Sequence, residues 1–124
     1  MNILLTGGCG YIGSHTLLVL LEAGHKVTVL DNLCNSSREV LERIKNISGL
    51  NDLTFVEMDI RDAHGLDTLF NHYKFDAVMH FAGRKSVGES IEKPLEYYDN
   101  NVGGTAILLN VMKHANVRTL VFSS

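Results

Sequence analysis

The sequence predicts a doubly wound α/β fold (Rossmann) on a parallel sheet with strand order 3-2-1-4-5. Three observations predict it. Five short apolar runs alternate with four longer amphipathic segments, a glycine-rich turn follows the first run directly, and an acidic residue closes the second. Right-handed crossovers between parallel strands then leave that order as the expected one.

Asn2–Thr6 (NILLT) opens the chain as a strand too short for a helix and apolar enough to be covered on both faces. A helix is expected over 12–23, with Ile12, Thr16, Val19, Leu20 and Ala23 on one inward face and Gly24 as its stop. Lys26–Leu30 (KVTVL) is the second strand. The helix over 37–47 opens on the capping pair Ser36-Ser37 and spaces Val40, Leu41, Ile44 and Ile47 helically. Thr54–Glu57 (TFVE) forms the third strand, and Asp62 caps a helix over 63–72 that turns Leu66, Leu69 and Phe70 inward. Ala77–Phe81 (AVMHF) is the fourth strand. Pro94 then suits the first turn of a long helix from about Leu95 to Ala115, striped by Tyr98, Val102, Ala106, Leu109 and Met112. Thr119–Phe122 (TLVF) completes the sheet, and the fourth and fifth runs, like the first, read as strands covered on both faces.

Composition narrows the function. At 124 residues and 45% hydrophobic, the chain suffices for one compact domain, residues 1–124, and is too apolar for a disordered one. Its formal net charge of -3 supplies no basic field for nucleic acid or an anionic membrane. The longest apolar stretch, Leu17 to Leu21, is far short of a membrane span, and residues 1–5 lack the segments of a secretory signal. Cys9 and Cys34 fall in separate polar loops without metal-ligand spacing, which points to a reducing, cytoplasmic setting. Six scattered histidines, His80 among them, form no ligand pair, and no metal site is expected.

The chemistry concentrates in Thr6-Gly7-Gly8-Cys9-Gly10-Tyr11-Ile12-Gly13. Gly8, Gly10 and Gly13 satisfy G-x-G-x-x-G, and Gly7, Gly10 and Gly13 satisfy G-x-x-G-x-x-G. Such a loop makes a tight turn, lets backbone approach a pyrophosphate, and packs helix closely on strand, while the helix N-terminus directs N–H groups at the phosphates. Asp31 lies 18 residues after Gly13, close to the spacing at which a carboxylate bonds an adenosine ribose. Its charge repels a 2′-phosphate and favours NAD over NADP; Arg38, seven residues on, is a cation that could meet a 2′-phosphate in principle, but nothing in the sequence places it there. The alternative for Asp31 is a cap on the loop that follows.

Later strand ends extend the same edge. Asp59 suits an acceptor for the adenine amino group with Ile60 packed on the ring, or else a helix cap working with Arg61 and Asp62; both readings stand. Phe81-Ala82-Gly83 lets backbone approach a cofactor, and Arg84 and Lys85 set two cations beside it. Asn100 and Asn101 are further polar candidates.

These residues resemble a family. The segment from Thr6 to His15, then Asp31-Asn32-Leu33, His80-Phe81-Ala82-Gly83, Val87-Gly88-Glu89-Ser90 and Pro94-Leu95-Glu96-Tyr97-Tyr98-Asp99-Asn100-Asn101 are similar to the UDP-glucose 4-epimerases of the extended short-chain dehydrogenase/reductase family. The glycine loop and Asp31 are shared by many relatives, whereas the stretch from His80 to Asn101 is far more specific. The resemblance implies NAD held at the pyrophosphate by Gly7, Gly10, Tyr11, Ile12 and Gly13. It places the adenosine ribose on Asp31, Asn32, Leu33, Cys34, Asn35 and Ser36, and adenine on Asp59 and Ile60. Phe81, Ala82, Gly83, Arg84 and Lys85 then run along the cofactor, with Asn100 nearby. Arg84 and Ser86 depart from the apolar residue and the Ala more usual there.

The implied reaction interconverts UDP-glucose and UDP-galactose through a 4-keto sugar in a homodimeric enzyme. Two other readings fit the same residues. One is another nucleotide-sugar enzyme of the family, a 4,6-dehydratase or a UDP-glucuronate-acting relative; the other is a non-catalytic NAD-binding domain. In the family a Tyr-x-x-x-Lys pair supplies the base. No Tyr here, at 11, 73, 97 or 98, has Lys four positions later, and the family's catalytic Ser or Thr would follow Ser124. The expectation is therefore an N-terminal part of the enzyme, with no catalytic residue among the 124 and no activity by itself. A dimer face built on the long helix is implied too, with Leu108, Val111 and Met112 left uncovered in this chain.

Overall fold

The computed structural model describes residues 1–9, 11–32, 39–48, 53–81 and 102–122. Five parallel strands form one sheet: β1 (Asn2–Thr6), β2 (Lys26–Asp31), β3 (Leu53–Glu57), β4 (Ala77–His80) and β5 (Leu120–Phe122). Their order is β3-β2-β1-β4-β5, as the crossover argument requires. β1 aligns Asn2 with Lys26 of β2 and Ile3 with Ala77 of β4, so all five carboxyl ends share one edge. The helices are α1 (Tyr11–Glu22), α2 (Glu39–Ser48), α3 (Ala63–His72) and α4 (Gly104–His114).

Strand alternation explains the apolar runs. Leu4, Leu30 and Val78 point to the face covered by α3 and α4, where they meet Leu66, Phe70, Leu108 and Met112. Leu5, Val27 and Val29 point the other way, onto Leu17 and Leu21 of α1 and Leu41 and Ile44 of α2. Because both faces are covered, neither can be polar, and period two disappears from the sequence. Each fully buried Leu contributes about 1.5–3 kcal/mol. A T-shaped contact of Phe70 with Phe75, centroids 5.1 Å apart, closes the α3 side.

Several helix faces differ from the expected ones. In α1 the buried residues are Gly13, Leu17 and Leu21, while Ile12 and Val19 are 51% and 64% exposed. The segment Leu17–Leu21 is apolar all round, so its periodicity selects no face; the Gly13 contact described below does. In α4 the buried residues are Gly104, Leu108, Val111 and Met112, whereas Ala106 and Leu109 face outward, as does Val102 just before the helix. Gly104 sets that face: a Cβ there would lie 2.5 Å from Ile60 Cγ2, so only glycine lets the helix approach so closely. Leu108, Val111 and Met112 are therefore covered by this chain's own core, contrary to the expectation from the resemblance. The expected helix from Leu95 is described from its second half on, and 95–101 lie outside the described residues.

β5 also departs from expectation. Val121 and Phe122 are 47% and 56% exposed, because among the described residues β5 is an edge strand with a neighbour on one side only. Where the local signals were strong, the boundaries agree. α3 spans 63–72 with Asp62 as N-cap, its Oδ1 accepting the Gly65 N–H at 2.9 Å. Leu66, Leu69 and Phe70 are its inward residues, and Gly24, with φ 87°, follows α1. The capping pair Ser36-Ser37 lies outside the described residues.

Candidate functional site

The carboxyl edge is centred between β1 and β4, where the chain order of the strands reverses, which is where open α/β sheets leave a crevice. β1 delivers Thr6 into the glycine turn. Gly7 adopts φ 75°, left-handed backbone that side-chain-bearing residues rarely adopt, and donates its N–H to the Leu30 carbonyl at 2.8 Å. Two residues inside α1, Gly13 lies so close to the turn that a Cβ would stand 2.1 Å from the Gly7 oxygen. The N-terminus of α1 is thus pressed against the end of β1 with its amides facing the edge. Gly8 has a different use: it packs against Val29 in the core beneath the turn.

Asp31 closes β2 and is 7% exposed. Its Oδ2 accepts the N–H of Cys9, in the glycine turn, at 3.0 Å. The acidic residue and the glycine turn are thereby one assembly, a link that the spacing alone does not reveal. Cys9, expected in a polar loop, is instead 2% exposed: its side chain folds under the turn into the core cluster with Leu5 and Leu17.

Asp59 and Ile60 follow β3. Arg61 holds the Asp59 carboxylate in a fork: its Nη2–H donates to Oδ2 at 2.7 Å, and its Nε–H and backbone N–H donate to Oδ1 at 3.0 Å and 2.8 Å. The side-chain hydrogen bonds from Arg61 chiefly lower the carboxyl to about 2, against partial burial, with a further hydrogen bond from Asn32. Asn32 and Asp59, both predicted site residues, are therefore in contact, and Arg61 is the site residue that sequence reasoning undervalued. Its signal was the Asp-x-Arg spacing on a strand-to-helix turn. Ile60 is corrected: at 3% exposure its side chain packs with Leu108 and against Gly104 in the core and offers no face for a ring to stack on.

At the end of β4, the Phe81 N–H donates to the Thr6 carbonyl at 2.9 Å and the Thr6 hydroxyl at 3.1 Å. The Phe81 side chain packs on the α1–α2 side. His80, beside it, is buried between two threonines. Ile12 is exposed on the first turn of α1, and Tyr11 begins that helix. Gly10, Leu33, Cys34, Asn35, Ser36, Ala82, Gly83, Arg84, Lys85 and Asn100 lie outside the described residues, as does Arg38. The edge thus brings together Gly7, Ile12, Gly13, Asp31, Asn32, Asp59 and Phe81. Among the described residues no group of three His, Cys, Asp or Glu is placed to hold a metal ion, and no helix is long and apolar enough to cross a membrane.

Known proteins are similar to this chain in sequence and fold. A family model described as GDP-mannose 4,6 dehydratase matches residues 4–124. A UDP-glucose 4-epimerase of Klebsiella pneumoniae is 52% identical over 124 residues, which are 100% of this chain and 88% of that protein. Of longer curated relatives the chain spans about a third: a Yersinia enterocolitica UDP-glucose 4-epimerase is 57% identical over 100% of this chain and 37% of its own length. The crystal structure of UDP-glucose-4-epimerase from Stenotrophomonas maltophila, with bound NAD and formylated UDP-arabinopyranose, superposes with a TM-score of 0.95 at 50% identity. It is covered to 37%, and this chain to 100%.

Proposed function

Since the chain belongs to the family described as GDP-mannose 4,6 dehydratase, and within it to the UDP-glucose 4-epimerases, we propose that residues 1–124 are the NAD-binding domain of an enzyme interconverting UDP-glucose and UDP-galactose. The observation that carries the reading is the Cys9 N–H to Asp31 contact, which joins the glycine turn to an acidic strand end at the switch point of the sheet. Relatives at 52% to 57% identity are UDP-glucose 4-epimerases, which favours this reading over a 4,6-dehydratase.

The residues present fit a dinucleotide. Gly7 and Gly13 draw the start of α1 against β1, a cradle that a Cβ at position 13 would fill. Asp31, at the end of β2, supplies a buried carboxylate bonded to the same turn. Gly7, Tyr11, Ile12 and Gly13, with Gly10, would hold the pyrophosphate; Asp31 and Asn32, with 33–36, the adenosine ribose; and Asp59 the adenine amino group, aimed by Arg61. The Ile60 backbone is all of that residue left for adenine. Phe81, with 82–85 and Asn100, would line the remaining length. Bound NAD supplies a hydride acceptor and donor for the sugar carbon. This chain's own part is to bind and orient, and the negative charge at Asp31 disfavours a 2′-phosphate.

The base of the reaction lies outside these 124 residues, since no Tyr-x-x-x-Lys pair occurs among them. The catalytic enzyme is proposed as a cytoplasmic homodimer acting in galactose metabolism, in keeping with a buried thiol at Cys9 and the outward Leu109 on α4. Calorimetric titration of the chain with NAD and NADP tests the binding: NAD should bind and NADP at least tenfold more weakly. Product analysis of UDP-galactose turnover tests the reaction in the full-length enzyme, with none expected from the 124-residue chain. Equal affinity for the two cofactors, or a 4,6-dehydrated product, would overturn the reading.

A further inference from the structure

We propose that His80 is a positioning residue for the cofactor cleft, acting through Thr6 and Thr105; this rests on the NAD-binding reading above. The ring is 2% exposed, with Nδ1 2.6 Å from Thr6 Oγ1 and Nε2 3.0 Å from Thr105 Oγ1. His80 and Thr6 are paired partners on adjacent strands, one step before the β1 turn. Thr105 stands in the first turn of α4, and the Phe122 ring of β5 lies 5.5 Å from the imidazole.

One imidazole thus touches the ends of three strands and the start of a helix. A buried ring with two polar nitrogens costs free energy that an aliphatic residue would not, so core packing alone does not account for it. What the arrangement does supply is direction. A hydroxyl has a single proton and two lone pairs, and Thr6 Oγ1 also accepts the Phe81 N–H. Holding the ring from the Thr105 side therefore holds the Thr6 hydroxyl. That hydroxyl in turn is a second acceptor, beside the Thr6 carbonyl, for the Phe81 N–H where the backbone leaves β4, opposite Gly7 in the cleft. Loss of the Thr105 hydroxyl removes its hold on Nε2, and the common anchor of the two strand ends that flank the cleft is weakened.

Thr105→Val removes the hydroxyl and keeps the shape; Thr105→Ser keeps the hydroxyl. Three readouts are taken on the full chain: hydrogen exchange at the Phe81 amide without cofactor, the ring ¹⁵N shifts of His80, and the Kd for NAD. The Val variant should exchange Phe81 about tenfold faster, shift the His80 ring resonances and bind NAD about tenfold more weakly. The Ser variant should stay within twofold of the parent in exchange and affinity. Unchanged Phe81 exchange in the Val variant overturns the proposal, as does a Ser variant as weak as the Val variant. If the parent does not bind NAD, the NAD-binding reading fails, and the exchange and ring shifts still decide whether His80 couples Thr105 to Phe81.

Discussion

Gly13→Ala places a methyl carbon 2.1 Å from the Gly7 carbonyl oxygen, 2.9 Å from the Gly7 carbonyl carbon and 3.1 Å from Gly8 Cα. An ordinary contact needs about 3.4 Å, so the start of α1 must retreat by roughly 1 Å. None of the three atoms belongs to a side chain that can rotate away; all are backbone of the turn. Retreat pulls Leu17 and Leu21 off Leu5 and Val29, in a cluster with little room to adjust. Overpacking typically costs 1–3 kcal/mol, and a backbone obstacle puts this substitution at the upper end, about 3 kcal/mol. For a domain of this size that lowers Tm by roughly 10 °C. The same displacement moves the α1 amides away from the pyrophosphate, so NAD affinity should fall at least tenfold, about 1.4 kcal/mol. Urea denaturation and calorimetric titration measure the two effects. Val19→Ala, on the exposed side of the same helix, is the control and should change stability by no more than about 0.5 kcal/mol. A Gly13→Ala protein as stable as the parent, with unchanged NAD affinity, would refute close helix–strand approach as the reason for glycine.

Asp31→Asn keeps an acceptor for the Cys9 N–H and removes the charge, so stability should hold while the NAD over NADP preference shrinks; Asp31→Ala removes that acceptor too and should cost a further 1–3 kcal/mol or so in a urea melt. The Asp59 carboxyl titrates at about 2 in place of 3.8, so its pairing stabilises the fold fully above pH 3.8 and is lost as pH falls through 2. With about a third of both side chains exposed, solvent screening reduces its contribution to about 1 kcal/mol. Arg61→Met should return the Asp59 carboxyl toward 3.8, read by carboxyl ¹³C shifts, and flatten the stability change between pH 4 and 2; an unmoved Asp59 would contradict the fork. Leu66→Ala, at a fully buried position, should cost about 2–5 kcal/mol in the same melts.

Local signals in the chain determined more than its elements. The alternation of runs, the glycine turn entering a helix, and Asp31 ending β2 carry strand order and site location, because parallel crossovers have one hand and one ligand-facing edge. The α3 cap at Asp62 and its Leu66, Leu69 and Phe70 face were legible for a similar reason: a polar cap and a clear amphipathic period both act within a few residues. Only the tertiary structure decided which faces of α1 and α4 are buried. Both carry apolar residues on more than one side, and the choice falls to single close approaches, Gly13 on Gly7 and Gly104 on Ile60, made across the fold. The same holds for the site. Asp31 and Asp59 could be picked by position. That one is fastened to Cys9 and the other forked by Arg61, that Ile60 is spent in the core, and that His80 lies between Thr6 and Thr105 depend on residues up to 74 positions apart. Such contacts leave no period in the sequence; they exist only once the sheet has brought its strand ends together.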